Sequence, residues 1–336
     1  MIFVSGGSGM LGSYLLLELI KQGHVVKATR RSTTNLSMTQ YIFRQLESNG
    51  DELFKKIQWV NLDLNCQMEI EEQLADIEEI YHCATEINYA PKDASSYIQR
   101  NVNITKNLSQ AAINMNVKRF LHVSSIAALG VSDNDELIDE KTTWDENTEA
   151  SSYSVSKYLS EMEVWRAIEE GLNAVIINPS VILGIGDWKK GSPNIFEKIN
   201  RGLKFYTKGQ TGFVSAKEVA QSAIALMKIP EAFGEQFVIN RENLDYRTFF
   251  NLVAKNLNAK APSIYANPIY TQLAWRFEKL KSIIIGIDPL ITKQSAQTAH
   301  KKLAYSNLKV SKLINNSFPS IKQTVIEIAK IYKANK

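Results

Sequence analysis

Ser5-Gly6-Gly7-Ser8-Gly9-Met10-Leu11-Gly12 follows the first apolar run, Ile2 to Val4, and opens an amphipathic segment that continues to Lys21. Glycine accepts positive φ in a tight turn, lets backbone approach a pyrophosphate, and allows a helix to start with its first N–H groups free to bind it. A strand-to-helix turn without a ligand is the plainer alternative, so the rest of the chain has to decide. Further apolar, β-branched runs follow at His24 to Thr29, Ile57 to Leu62, Ile77 to Cys83, Val117 to Val123 and Asn173 to Ile177, with longer amphipathic segments between them. One of these, Ser95 to Met115, places Ile98, Val102, Thr105, Leu108, Ala112 and Met115 on one helical face. The alternation predicts βαβ units and a parallel sheet, an α/β fold. After Pro179 glycines and prolines break the pattern. A helix is expected over Ser215 to Lys228, a strand over Gln236 to Asn240, and a mainly helical cap from Asp245 to Lys336.

Composition bounds the function. The chain has 336 residues, 44% hydrophobic and 22% charged, as ordinary globular proteins do. Lys and Arg number 39 against 35 Asp and Glu, without a dense basic block, which argues against a nucleic-acid partner. The two cysteines, Cys66 and Cys83, are too few for a disulfide framework and are expected to be small buried hydrophobes in a reduced compartment. His24, His82, His122 and His300 stand apart from cysteine or carboxylate clusters, so no metal is expected. Met1 to Val4 run directly into the glycine loop without the pattern of a signal peptide, and no apolar run spans a bilayer. The expectation is a cytoplasmic protein without a membrane partner.

The end of the second apolar run bears on which dinucleotide is preferred. An NAD site places a carboxylate there for the ribose hydroxyls; this chain has Thr29-Arg30-Arg31-Ser32. Two guanidinium groups suit a ribose phosphate through paired, charge-assisted hydrogen bonds, which favours NADP(H) and keeps NAD(H) as the alternative. A solvated basic turn is the bland reading. Asp63-Leu64, after the third run, either presents a carboxylate and an amide to an adenine or lets Asp63 cap the next helix.

Tyr153-Ser154-Val155-Ser156-Lys157 begins a segment that continues helically through Trp165, so tyrosine and lysine share a face. A free phenol has a pKa of about 10 and exchanges protons sluggishly at neutral pH; a neighbouring ammonium stabilises phenolate and lowers that value. Lys157 also has the reach to hydrogen-bond a nicotinamide ribose. Ser124-Ser125 ends the fifth run, where side chains meet a ligand outside the carboxyl ends of the strands, and Ser125 is the better placed to polarise a substrate carbonyl. A lone Tyr-x-x-x-Lys occurs by chance on many helices. After a glycine loop and a serine strand, in this order, it is specific.

Taken together these residues resemble the extended short-chain dehydrogenase/reductase family (the NAD(P)-dependent epimerase/dehydratase superfamily) and, within it, the dihydroflavonol-4-reductase-like branch. The likeness is carried by Gly6, Gly9 and Gly12; by Asp63-Leu64; by His82-Cys83-Ala84-Thr85; by Asn101-Val102-Asn103-Ile104-Thr105; by Ser125, Tyr153 and Lys157; and by Asn178-Pro179-Ser180-Val181-Ile182-Leu183-Gly184 with Gly186-Asp187-Trp188. It implies a Rossmann doubly wound parallel sheet over 1–180, with 211–240 returning to it. A smaller, mainly helical C-terminal substrate-binding region would be built from 181–210 and 241–336. The cofactor would be held by Gly6, Ser8, Gly9, Met10, Leu11, Gly12, Arg30, Arg31, Asp63, Leu64, Cys83, Ala84, Thr85, Ser124, Tyr153, Lys157, Pro179 and Ser180, with Asn101 in support. The resemblance further implies a homodimer through Ser95 to Met115 and Ser152 to Glu170. Two departures stand out: Phe213-Val214-Ser215-Ala216 lacks the acidic residue frequent in relatives, and Cys83 and Thr85 replace small apolar residues.

The reaction expected is hydride transfer between NADP(H) and a ketone, aldehyde or alcohol, with Tyr153 carrying the proton. A nucleotide-sugar epimerase or dehydratase with tightly bound NAD is the alternative, and a non-catalytic NADP-sensing protein a third reading. Ile87, Tyr89, Leu129, Val181, Phe196 and Phe205 are candidates for an apolar, ring-sized substrate pocket, unless they simply fill the space between sheet and cap.

Overall fold

A computed structural model describes residues 1–88, 93–131, 137–144, 150–285, 292–314 and 318–335; Tyr89 lies outside the described residues. The chain begins β1 (Ile2–Ser5), α1 (Met10–Lys21), β2 (Val26–Arg30), α2 (Ser37–Leu46), α3 (Gly50–Lys55), β3 (Gln58–Asn61), α4 (Gln67–Gln73) and β4 (Glu79–His82). It continues α5 (Ala94–Asn114), β5 (Arg119–Val123), α6 (Ser152–Glu169) and β6 (Ala174–Pro179). Then follow β7 (Val181–Leu183), α7 (Asn194–Asn200), β8 (Phe205–Tyr206), β9 (Gln210–Ser215), α8 (Ala216–Leu226) and β10 (Glu235–Ile239). The chain closes with β11 (Glu242–Asp245), α9 (Tyr246–Leu257), β12 (Ile264–Tyr265), α10 (Pro268–Ile285), α11 (Lys293–Thr298), α12 (Leu308–Leu313) and α13 (Ile321–Ala334).

Seven strands form one parallel sheet in the order β10-β6-β5-β4-β1-β2-β3. β1 and β6 are buried along their whole length, as strands covered by helices on both faces must be. α1 and α8 contribute Leu15, Leu19, Val219 and Ala223 to the core on one face; α5 and α6 contribute Leu108, Ala112, Val164 and Ala167 on the other. This is the parallel sheet expected from the alternation, wound as the Rossmann fold that the resemblance implied. Strand order reverses between β1 and β4, with Ser5 opposite His82, so the crevice at this switch point is the place for a ligand.

The sequence reading needs correction in three places. On α5 Thr105, Leu108 and Ala112 are buried as expected, but Ile98, Val102 and Met115 are only half-buried, while Tyr97, Asn101 and Ser109 go inside. The N-terminal half of this helix meets a polar loop and α6 rather than an apolar layer. Cys66 and Cys83 are half-buried rather than enclosed. The C-terminal region also holds more strand than expected: a three-stranded sheet, β11-β9-β7, and a ribbon of β12 with β8. These strands are two to six residues long, too short for a clear period. Ser215 accepts a hydrogen bond from Glu218 N at 3.0 Å and so caps α8, a task an acidic residue would perform equally well.

Candidate active site

The glycine loop is shaped by close approach. Gly6 has φ +72°, and a Cβ there would stand 2.6 Å from Ala84 N; one on Gly12 would stand 2.2 Å from Gly6 O. The β1–α1 turn is thereby pressed against the end of β4. Gly9 N-caps α1 without any side-chain hydrogen bond, which leaves the first N–H groups of the helix and its positive end facing outward. Met10 Sδ lies against the Gly184–Gly186 stretch, and Ile185 N donates to Tyr14 Oη at 2.9 Å, so the segment after β6 closes over the start of α1.

At the end of β2, Arg30 Nε donates to Asn61 Oδ1 at 2.9 Å, and the Arg31 side chain is exposed. No carboxylate caps this strand. Asp63 Oδ1 accepts from Asn65 N at 3.0 Å and Asn65 Nδ2 at 2.8 Å. It therefore closes its own turn, and α4 begins only beyond Cys66, so Asp63 is not that helix's cap. Leu64 is buried beside it. His82 shares hydrogen bonds with Ser5 Oγ (2.7 Å) and Thr105 Oγ1 (3.0 Å), tying β4 to β1 and α5. Burial, with the Lys157 charge adding, pushes its imidazole down to about 3, so it stays neutral. Burial also pushes the Cys83 thiol up to about 12, which removes it as a nucleophile. Asn101 uses its side chain on the loop after β4: Oδ1 accepts from Glu86 N (2.8 Å) and Thr85 Oγ1 (3.3 Å), and Nδ2 donates to Glu86 O (3.2 Å).

Tyr153 is half-buried in the first turn of α6, which is capped by Ser151. Lys157, one turn on, is buried, and its Nζ donates to Val123 O at 2.9 Å, at the end of β5. Desolvation pushes the ammonium down to about 8, against the upward pull of Glu161 and Cys83. Ser125 follows β5 and N-caps a one-turn 3-10 helix, Ile126–Ala128; its Oγ accepts from Ala127 N at 3.1 Å, which leaves its O–H to donate. Ser124, Ser125, Lys157, Pro179 and Ser180 thus gather at the carboxyl ends of β5 and β6, with Tyr153 one helical turn before Lys157. The hydroxyls of Ser124 and Ser180 are buried without a hydrogen-bond partner among the described residues. Together with the close-packed glycine loop and the open end of α1, they offer the unpaired polar groups and close backbone approach that a dinucleotide would need.

One residue escaped the sequence reading. Glu161 lies one turn beyond Lys157 on the same face of α6 and is buried. Asn178 Nδ2 donates to Glu161 Oε1 at 2.5 Å and to Ser125 O at 3.1 Å, so one amide ties α6 to the serine loop. Ser124 Oγ makes no hydrogen bond of good geometry but lies close enough to favour the carboxylate. Burial outweighs these contacts and pushes Glu161 up to about 7. Behind it a cavity of about 180 Å³ is walled by Leu129, Trp144, Tyr158 and Trp165, with Trp144 stacked on Tyr158 at 4.6 Å. The available signal was a glutamate at i+4 from Lys157 and i+8 from Tyr153.

Of the described substrate candidates, Val181 and Phe196 share one apolar cluster and the others lie apart from it. Phe196 is buried with Leu183, Phe213, Phe249 and Tyr332 in a core of the C-terminal region, and Leu129 packs with Ile138, Val238 and Tyr305. Val181 is half-buried in β7; Ile87 and Phe205 are exposed, the latter on the β8–β12 ribbon. Phe196 fills core, as the plainer reading had it, whereas Leu129 both packs in a small core and walls the cavity beside Glu161.

A family model described as the NAD dependent epimerase/dehydratase family matches residues 2–240. The chain belongs to this family. Its members include NAD(P)-dependent reductases, epimerases and dehydratases, and the chain shares 24% identity over 332 residues with a Synechocystis sp. protein provisionally named dihydroflavonol 4-reductase, covering 97% of this chain and 92% of that one. Cinnamoyl-CoA reductase 1 of Petunia hybrida is 27% identical over 69% of this chain and 70% of its own. In fold the chain is similar to the crystal structure of gox2253 (TM-score 0.82, 23% identity, 100% and 98% of the two chains). It is likewise similar to the UDP-glucose 4-epimerase of Thermus thermophilus in complex with NAD (TM-score 0.76, 15% identity, 100% and 99%). Among the described residues no cluster of side chains could hold a metal ion, and no helix is long and apolar enough to cross a membrane.

Proposed function

We propose that this chain is an NADP(H)-dependent oxidoreductase that reduces a ketone or aldehyde, or oxidises the corresponding alcohol. The observation that carries this reading is the buried Lys157 ammonium, fixed on Val123 O one turn from Tyr153 and beside the serine loop that Asn178 holds in place. NADPH supplies the hydride that reaches the carbonyl carbon. Ser125 donates its O–H to the carbonyl oxygen and holds it as negative charge develops. Tyr153 gives its phenolic proton to that oxygen, Lys157 stabilises the phenolate left behind, and a proton from water restores the phenol. Arg30 and Arg31, at a strand end without a carboxylate, favour the ribose phosphate of NADP(H) over NAD(H). A homodimer through the outer faces of α5 and α6 belongs to the same reading.

One observation favours a second reading: solved structures of similar fold include two nucleotide-sugar enzymes in complex with NAD, a UDP-glucose 4-epimerase and a dTDP-glucose 4,6-dehydratase. The test is the rate of NADPH oxidation across a panel of carbonyl compounds. Turnover that consumes NADPH one for one with alcohol, and is lost in Tyr153→Phe, supports the reductase. Stoichiometric NAD in the purified protein, with turnover of a nucleotide sugar needing no added cofactor, would replace it with the second.

A further inference from the structure

The modest net charge conceals two opposite halves. Residues 1–180 hold 25 Asp and Glu against 15 Lys and Arg, whereas residues 181–336 hold 24 Lys and Arg against 10 Asp and Glu. Within the basic half, α10 turns an apolar face to solvent. Ile269, Leu273 and Phe277 are 69, 60 and 68% exposed, and Tyr270 and Leu280 are exposed beside them, all on one stripe by their three- and four-residue steps. The opposite side faces the protein through Thr271, whose Oγ1 lies 2.9 Å from His300 Nε2, and through half-buried Trp275.

Exposed cations line both edges of the stripe. Arg276, its guanidinium 4.8 Å from the Trp275 ring centre, borders one side, and Lys281 the other. The sole carboxylate of this helix, Glu278, is half-buried and meets Lys281 at 3.4 Å; Arg276, Lys279 and Lys281 outnumber it three to one, so the helix keeps a positive charge. Just before α10, Ile264 of β12 pairs in register with Phe205 of β8, and both are exposed between the exposed Lys204 and Lys208.

We propose that α10, with the adjoining β8–β12 ribbon, docks this protein onto an anionic lipid bilayer. A narrow apolar stripe edged by cations lies at the boundary between headgroups and acyl chains, its apolar side chains inserted and its cations on lipid phosphates. A nucleic acid would use the cations and leave the stripe in water. An isologous contact with a second copy would cover the stripe but set Arg276 and Lys281 against like charges. The expectation of no membrane partner rested on the absence of a spanning segment, which an interfacial helix does not need. The proposal is independent of the catalytic reading.

Sedimentation of the full chain with vesicles tests it, using phosphatidylcholine alone and phosphatidylcholine mixed three to one with phosphatidylglycerol. The expected result is capture by the mixed vesicles, weakened by added salt and reduced roughly tenfold or more in Leu273→Glu/Phe277→Glu. Val25→Glu, an exposed change in the acidic half, serves as control, and melting temperature verifies that each variant folds. Arg276→Glu/Lys281→Glu should lose the preference for the mixed vesicles even if the apolar variant fails to fold. Equal capture by both vesicles, or by wild type and both variants, would overturn the proposal. So would a dimer by light scattering that Leu273→Glu/Phe277→Glu converts to monomer without vesicle capture by the wild type; the stripe would then seat a second copy.

Discussion

Helices α6 and α10 are each 18 residues long and use their faces in opposite ways. α6 turns Ser156, Lys157, Ser160 and Glu161 into the protein; α10 turns Ile269, Leu273 and Phe277 out of it. Burying an ammonium and a carboxylate costs desolvation free energy that only well-placed partners offset, and leaving Leu and Phe in water forgoes about 1.5–3 kcal/mol for each side chain that could have been buried. Each helix departs from the ordinary two-sided pattern where something beyond packing selects the residue. On α6 the proposed selection is proton chemistry; on α10 it is a second surface.

The comparison breaks most clearly at Tyr153. Tyr153→Phe is expected to lower turnover by about 10²–10⁴-fold while cofactor affinity and vesicle capture stay as they are, measured by steady-state kinetics, fluorescence titration and sedimentation. Unchanged turnover would mean that α6 buries its polar face for packing alone. A smaller effect is expected of Arg31→Ala: about tenfold weaker NADPH binding with NADH unaffected, since one charge-assisted contact to a phosphate is at stake. Equal weakening of both would assign Arg31 no part in cofactor choice.

The smallest effect sharpens the account of α6 itself. Lys157, held down to about 8, carries the charge that Tyr153 needs, so kcat/KM should fall as pH rises through that value. The Glu161 carboxylate raises Lys157, so Glu161→Gln should start the fall at lower pH, with less than about tenfold lost at the optimum. An unmoved pH profile would leave Glu161 as a strut for Asn178 alone. Stability follows the matching sign. Glu161 is raised to about 7, so the folded state favours its protonated form; that contribution is present at low pH and lost as pH climbs through about 7. Melting temperature should decline less over that interval in Glu161→Gln.

Much of the first half was legible because its signals are periodic and local. β-branched runs, the glycine loop and the Tyr153–Lys157 spacing each constrain structure within a few residues, and the order of the motifs supplies the long-range part. Glu161 was passed over because an acidic residue in a helix reads as solvated surface; only the fold reveals that Asn178, seventeen residues on, arrives beneath it. Phe196 is an apolar residue downstream of the motifs, and whether such a side chain lines a pocket or fills a core depends on contacts with Phe249 and Tyr332, far along the chain. The opposed charges of the two halves were present in the sequence throughout. A whole-chain net of +4 averages them away.

The central claim is that hydride leaves the nicotinamide for a substrate carbon while α6 supplies the proton. NADPH carrying deuterium at the transferable C4 position, mixed with a carbonyl compound that the panel shows to be turned over, tests it directly. The expected products are an alcohol with one deuterium on its carbinol carbon and one NADP⁺ per alcohol. Deuterium retained in a tightly bound cofactor, with no net oxidation of NADPH during turnover, would contradict it.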